Sequence, residues 1–238
     1  MLESMQTNEI AGKGLDSILI STELESKIIG FYENYLNAKL SYIGDDLDWK
    51  NDEISETKRK IDNEKKFYCN VLESFYKAII ENPSKKIIML FDIDETLVSN
   101  NKTKDNDIMP IIRPSAISMF SFIKHKGGFS GFLTNRTEVK EQLNNKLQKL
   151  KPYVDESYIF STRDVGDVSG KEQKELERKI PQDIINTFDN GDFEKMIFLN
   201  KLIDDSDNND KIFIPIDDLK YPMLYKYGVT LYNNKFYI

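Results

Sequence analysis

Three short apolar runs that each stop at polar residues constrain this chain most. They are "KIIMLF" ahead of Asp92, "FSGFL" ahead of Thr134 and "KIFIPI" ahead of Asp217. Aliphatic and β-branched runs of this length read as buried strands. "ESYIFSTRD" reads as a further, weaker strand. Helical patterns lie between them: "IRPSAISMFSFIKHKGG", "TEVKEQLNNKLQKL", "GKEQKELERKI" and "FEKMIFLNKLI". Strand alternating with helix predicts an α/β fold, a Rossmann-like three-layer parallel sheet over residues 85–238. In such a sheet, sites form beyond the carboxyl ends of the strands, so the three polar clusters converge if their strands are neighbours.

The front of the chain has a different character. Residues 1–14 read as a loose tail and 15–84 as an N-terminal helical hairpin. A first helix is predicted from Thr22, because Thr22 and Glu25 have capping-box spacing. Leu24, Ile28, Phe31, Tyr32, Tyr35 and Leu36 then share one face. After a break at Gly44-Asp45-Asp46, Leu47, Ile54, Ile61, Tyr68 and Phe75 recur at every seventh position, and Asn82-Pro83 ends the helix. Most charges in "KNDEISETKRKIDNEKK" read as a solvated face. The hairpin can serve as a brace on the sheet, as a lid, or as a self-association surface making a homo-oligomer. Five sevenfold positions fall short of a coiled coil.

Composition excludes several classes. A net charge of −7 argues against general nucleic-acid binding, which needs clustered Lys and Arg. The single cysteine, Cys69, excludes an internal disulfide and a cysteine-based zinc site, and the single histidine, His125, excludes a two-histidine metal site. The start, "MLESMQTNEIAGKG", lacks the basic and apolar regions of a secretory signal, and no apolar run reaches membrane-span length. The default expectation is a soluble, cytoplasmic protein with no membrane partner; a secreted chain already trimmed of its signal reads the same.

Clustered carboxylates at strand ends repel one another unless a cation offsets them. With Asp92, Asp94, Asp217 and Asp218 as donors and no His or Cys, ligation is by oxygen alone. That favours a hard divalent ion, and a partly hydrated site open to phosphate favours Mg²⁺. An acidic pair after a strand is more often a turn or a helix cap than a site. The ordered recurrence of three such strand ends tips the balance.

"FDIDETLV" resembles the D-x-D-x-T signature of the haloacid dehalogenase (HAD) superfamily of phosphohydrolases. "GFLTNR" is similar to its second motif and "KIFIPIDD" to its fourth, and Lys195 in "EKMIFLNKLI" is the best-placed lysine for its third. The acid-phosphatase-like branch is the nearest in pattern. "DETLV" with Arg113-Pro114 also resembles the protein-phosphatase branch that acts on polymerase tails, against which "TNR" counts.

The resemblance implies a HAD-like fold and a Mg²⁺-dependent phosphatase acting on a small phosphorylated substrate, with a phosphoprotein second. It implies Asp92 as nucleophile and Asp94 as general acid/base. Thr96 would brace the loop, and Thr134 would hydrogen-bond a phosphate oxygen. Lys195 would offset charge, and Asn135 and Arg136 would contact substrate. Mg²⁺ would be held by Asp92, by Asp94 through its carbonyl, and by Asp218, with Asp217 as ligand or neighbour. A rival fourth motif, Asp204-Asp205, would take Lys171 as its lysine. A catalytically silent binding protein is the other alternative, and the presence of Asp94 argues against it. Residues 151–194 exceed a simple crossover and read as a small cap-like insertion, whereas the polar loop between Asp94 and Pro114 is too short for a helical lid.

Overall fold

The computed structural model describes residues 20–41, 47–94, 96–102, 108–136, 139–145, 147–162, 174, 178 and 190–217. Helix α1 (Thr22–Leu40) and helix α2 (Leu47–Glu81) lead into strand β1 (Lys86–Phe91). A ribbon of β2 (Val98–Lys102) and β3 (Ile108–Ile112) follows, then α3 (Ala116–His125) and β4 (Phe129–Thr134). The described chain continues through α4 (Val139–Asn144), β5 (Ile159–Ser161), α5 (Asn190–Asp204) and β6 (Lys211–Ile216).

The sheet is parallel, in the order β5-β4-β1-β6. The chain steps from β1 outward through β4 to β5 and then returns to the other side of β1. The strand order therefore reverses at β1, the place where α/β sheets open a crevice for ligands. Alternate side chains of β1 serve opposite faces. Ile87, Met89 and Phe91 pack in one core with α1, α2 and α3, while Ile88 and Leu90 join Met196 and Leu199 of α5 in another. Both faces are covered by helices, which makes this an α/β architecture compatible with a Rossmann-like fold. Phe91 stacks on Phe120 of α3 at 4.5 Å between centroids.

Several local expectations shift. Helix α1 is capped by Ser21, not Thr22: the Ser21 hydroxyl accepts from the Leu24 N–H at 3.2 Å. Glu25 is thereby freed from the cap and pairs with Lys65 on α2. The sequence between Asp94 and Pro114 is not merely a polar loop, because β2 and β3 form an antiparallel ribbon within it. Residues 159–161 pair with β4, so this part of the expected 151–194 insertion belongs to the sheet. Residues 163–189 lie outside the described residues apart from 174 and 178, as do the tail 1–14 and Lys171.

The hairpin α1–α2 shares its core with the sheet. Phe67, Val71, Leu72 and Phe75 of α2 are buried in the cluster that holds Met89 and Phe120. Gly128 lies where a Cβ would strike the Phe75 ring, so the turn before β4 is cut to fit α2. The turn itself needs Gly127, whose φ is +79°. The sevenfold apolar seam is only partly used. Leu47 is 71% exposed while Phe75 is fully buried. A strict seven-residue repeat drifts about 20° per heptad around a straight helix, and this carries the early positions off the packed face.

One charge on α2 is not solvated. Glu64 is buried, and its Oε1 accepts from the Ser115 N–H at 3.1 Å and from the Ser115 hydroxyl at 2.5 Å. Its Oε2 lies 3.5 Å from Arg113 Nε and accepts from the Tyr32 hydroxyl at 3.4 Å. The Arg113 guanidinium in turn sits 3.6 Å over the Phe67 ring. Ser115 is the N-cap residue of α3 and makes no cap bond; the Glu64 carboxylate instead accepts from its N–H and hydroxyl and places a negative charge at the start of α3. Burial, then the Glu64 charge, pushes the Tyr32 hydroxyl pKa well up, so Tyr32 stays a donor.

Among the described residues no helix is long and apolar enough to cross a membrane.

Candidate active site

The centre of the crevice is set by β1 and β6. The two strands pair in register from Lys86 opposite Lys211 to Phe91 opposite Ile216. The ladder runs one step further, with the Asp92 N–H donating to the Ile216 carbonyl at 2.8 Å. Asp92 and Asp217 therefore leave neighbouring strands at the same level. Both are buried, and so is Lys195 on the adjoining α5. Lys195 Nζ donates to Asp92 Oδ1 at 2.7 Å and to Asp217 Oδ2 at 3.0 Å. The lysine picked out by its sequence position thus bridges two acids picked out by theirs.

Two buried carboxyl groups share the one ammonium of Lys195. Burial pushes the Asp92 carboxyl up to about 8, with Asp217 and Asp94 adding to it, against the pull of Lys195. Lys195 stays charged: burial works against it, but Asp92 and Asp217 outweigh that and push it up.

Asp94 follows two residues on, after the buried Ile93 has pointed into the core. The Ile93 carbonyl accepts from the Leu97 and Val98 N–H groups at 3.1 and 2.9 Å, which folds the segment back so that Asp94 bridges to Val98. The Asp94 side chain is 41% exposed, against 5% for Asp92, so it lies at the rim of the pit. Arg136 meets it there with a two-pronged contact, Nε to Oδ2 at 2.5 Å and Nη2 to Oδ1. Thr96 is buried nearby in sequence, and its hydroxyl has no hydrogen-bond partner among the described residues.

Thr134 ends β4, two residues past Phe132, which pairs with Phe91. It is buried, and its Oγ1 accepts from the Arg136 N–H at 3.3 Å. Asn135 is held by Thr162, whose hydroxyl donates to its Oδ1 at 2.6 Å and lies 3.5 Å from Glu194 Oε2. Thr162 and Glu194 were not expected from the sequence, where nothing marks a lone Thr after an edge strand. Asp218 lies outside the described residues.

The rival pair does not reach the crevice. Asp204 ends α5, and Asp205 spends its side chain accepting from the Asp207 N–H at 3.0 Å, capping a short turn. Both acids are exposed and precede β6, at the end of the sheet away from Asp92.

The chain matches no protein-family model, no curated protein and no solved structure.

The fit of a metal can be judged from the donors. Among the described residues, no three Asp, Glu, His or Cys side chains gather closely enough to enclose an ion. The donors present at the pit, Asp92 and Asp217, are carboxylates already sharing Lys195. A partial, all-oxygen donor set suits an ion that keeps several waters, as Mg²⁺ does.

The raised Asp92 pKa makes a stability prediction. A carboxyl raised above its unfolded value adds stability below that value and loses it as pH rises towards about 8. Asp92→Asn does not titrate. Without added metal, its melting temperature should gain on the wild type between about pH 5 and pH 8, by about 2–4 °C for each kcal/mol of relieved strain. Thermal melts of both proteins across that range check this, and a constant gap would show that Asp92 is not held against its charge. Mg²⁺ should stabilise the wild type more at the upper end than at the lower.

Proposed function

We propose that this chain is a Mg²⁺-dependent phosphatase that cleaves phosphate monoesters through an aspartyl-phosphate, as its resemblance to the HAD superfamily implies. The observation that carries the reading is Lys195 bridging Asp92 and Asp217 at the carboxyl ends of paired strands, with Asp94 on the rim above. A charge-relay triad has no histidine in reach, since His125 is exposed at the end of α3.

In this reading Asp92 attacks phosphorus through a carboxylate oxygen and the ester P–O bond breaks. Asp94 gives its proton to the departing oxygen and becomes a carboxylate. It then takes a proton from water as the water oxygen attacks phosphorus and the Asp92 O–P bond breaks, releasing inorganic phosphate. Lys195 holds Asp92 oriented and offsets charge as the phosphoryl group arrives. Thr134, at the end of β4, is the hydroxyl available to a phosphate oxygen. Asp92, Asp217 and the Asp94 carbonyl would hold Mg²⁺, with Asp218 as a further donor. The bound ion supplies charge neutralisation to the carboxylates and the phosphate.

The test is phosphate release from aryl, alkyl and sugar phosphates with Mg²⁺, together with rapid quenching of labelled substrate. Expected are turnover and an acyl-phosphate label on Asp92. No release across the panel, or a label on another residue, removes the reading.

A further inference from the structure

Arg136 was expected to touch substrate, yet the structure gives its fork to Asp94. Nε and Nη2 each take one oxygen of the carboxylate. The Arg136 backbone N–H is tied to Thr134 Oγ1 at 3.3 Å, so the arginine is anchored to the end of β4 while its side chain reaches the loop after β1. The pair sits at the rim, with the side chains 23% and 41% exposed. An exposed pair of this kind contributes little to stability. A bidentate fork, however, fixes both the position and the rotation of a carboxylate. That matters to a group that must deliver a proton along one direction.

We propose that Arg136 is a positioning residue for Asp94, turning its carboxyl towards the leaving oxygen and receiving the carboxylate formed when the proton has gone. This rests on Asp94 being the acid/base of the phosphatase reading. Arg136 keeps its own proton throughout, because the Asp94 bond and charge, with Asp92 behind them, push its pKa further up. The proton shuttles only between Asp94, the ester oxygen and water.

The signature is dependence on the leaving group. An alkoxide needs the proton from Asp94, and p-nitrophenolate leaves without it. The experiment compares the single-turnover rate of phosphoryl transfer to Asp92, the step before water needs Asp94 as a base, together with kcat and KM, for glycerol phosphate and p-nitrophenyl phosphate in the full chain with Mg²⁺. The proteins are wild type, Arg136→Gln, Arg136→Lys, Asp94→Asn and the double variant Asp94→Asn/Arg136→Gln. Arg136→Gln should lose about 10–100-fold in the phosphoryl-transfer rate on glycerol phosphate, part of what general acid catalysis contributes. It should lose only about 2–3-fold on p-nitrophenyl phosphate, with KM changed by less than about 3-fold on either substrate. Arg136→Lys should stay near the Gln variant, because an ammonium keeps the charge but not the fork. In the Asp94→Asn background the Gln substitution should add less than about 2-fold, since no acid is left to position.

Equal losses on both substrates, a raised KM with kcat intact, full rescue by Lys, or multiplicative losses in the double variant would each overturn the assignment. They would make Arg136 a substrate ligand or a general electrostatic contributor. If wild type releases no phosphate, the underlying reading fails and takes this assignment with it.

Discussion

Lys195→Met should lose catalysis and a large part of the stability together. The ammonium is buried and is a hydrogen-bond partner of both Asp92 and Asp217. Methionine keeps most of the aliphatic stem and removes the ammonium, with its charge and its two hydrogen bonds. Two buried carboxylates are then left facing one another, and breaking a buried ion pair by removing one partner costs about 3–5 kcal/mol. The loss should shrink at low pH. Burial already pushes Asp92 up to about 8, and without Lys195 it rises further, so protonation relieves the repulsion below that pH and the penalty appears as pH rises through it. Melts at about pH 5 and about pH 8 read the difference. For activity, removing a preorganised charge-stabilising donor costs about 10²–10³-fold in kcat. The double variant Lys195→Met/Asp217→Asn separates the two effects. Removing the second carboxylate should recover stability at neutral pH while activity stays lost. If the double variant is no more stable than Lys195→Met, Lys195 is not the cation that offsets these acids.

The pit was legible because its residues sit where the backbone puts them. Asp92 and Asp217 each follow a run of strand formers directly, and the pairing of β1 with β6 brings any such residues level. Lys195 was placed by its position on the helix before β6. The rim was not legible. Arg136 and Asp94 are separated by 42 positions and meet because the long arginine side chain reaches from the end of one strand to the loop after another, a contact that no local pattern encodes. The contact of Asn135 with Thr162, just past the end of β5, is hidden from the sequence for the same reason. On the hairpin, the heptad-like seam pointed to Leu47, which is exposed, and passed over Glu64, which is buried. A signal for Glu64 was nevertheless present. It precedes Phe67, Tyr68 and Val71 at helical spacing, so the buried face of α2 begins on a glutamate. A charged residue on an apolar stripe reads as a solvated edge until its partners, Arg113 and Ser115, are seen arriving from another element.

Glu64→Gln should destabilise the protein by about 3–5 kcal/mol, a fall in melting temperature of about 6–20 °C for a domain of this size. The substitution keeps the shape and removes the charge. Arg113 then loses the carboxylate charge 3.5 Å from its Nε, and the start of α3 loses the anion that accepts from Ser115. Glu56→Gln is the control. Glu56 pairs with Arg59 one turn along the same helix at 2.7 Å, but both side chains are exposed, so that change should cost less than about 1 kcal/mol. The apolar double replacement Glu64→Leu/Arg113→Met should recover much of the loss, because a buried ion pair is often no more stable than well-packed apolar side chains. On the proposed phosphatase reading, activity measured well below the melting temperature should survive in all three, since none of these residues reaches the pit. That combination, a large stability effect without a kinetic one, is what a brace produces. A lid would shift KM or kcat, and a self-association surface would shift the oligomeric state. Residues 85–238 expressed without the hairpin would uncover the core built around Phe67, Val71, Leu72 and Phe75 and should aggregate or fail to fold. If Glu64→Gln melts with Glu56→Gln, or the shortened chain folds and turns over substrate like the whole, the hairpin is an appendage and the buried carboxylate holds nothing in place.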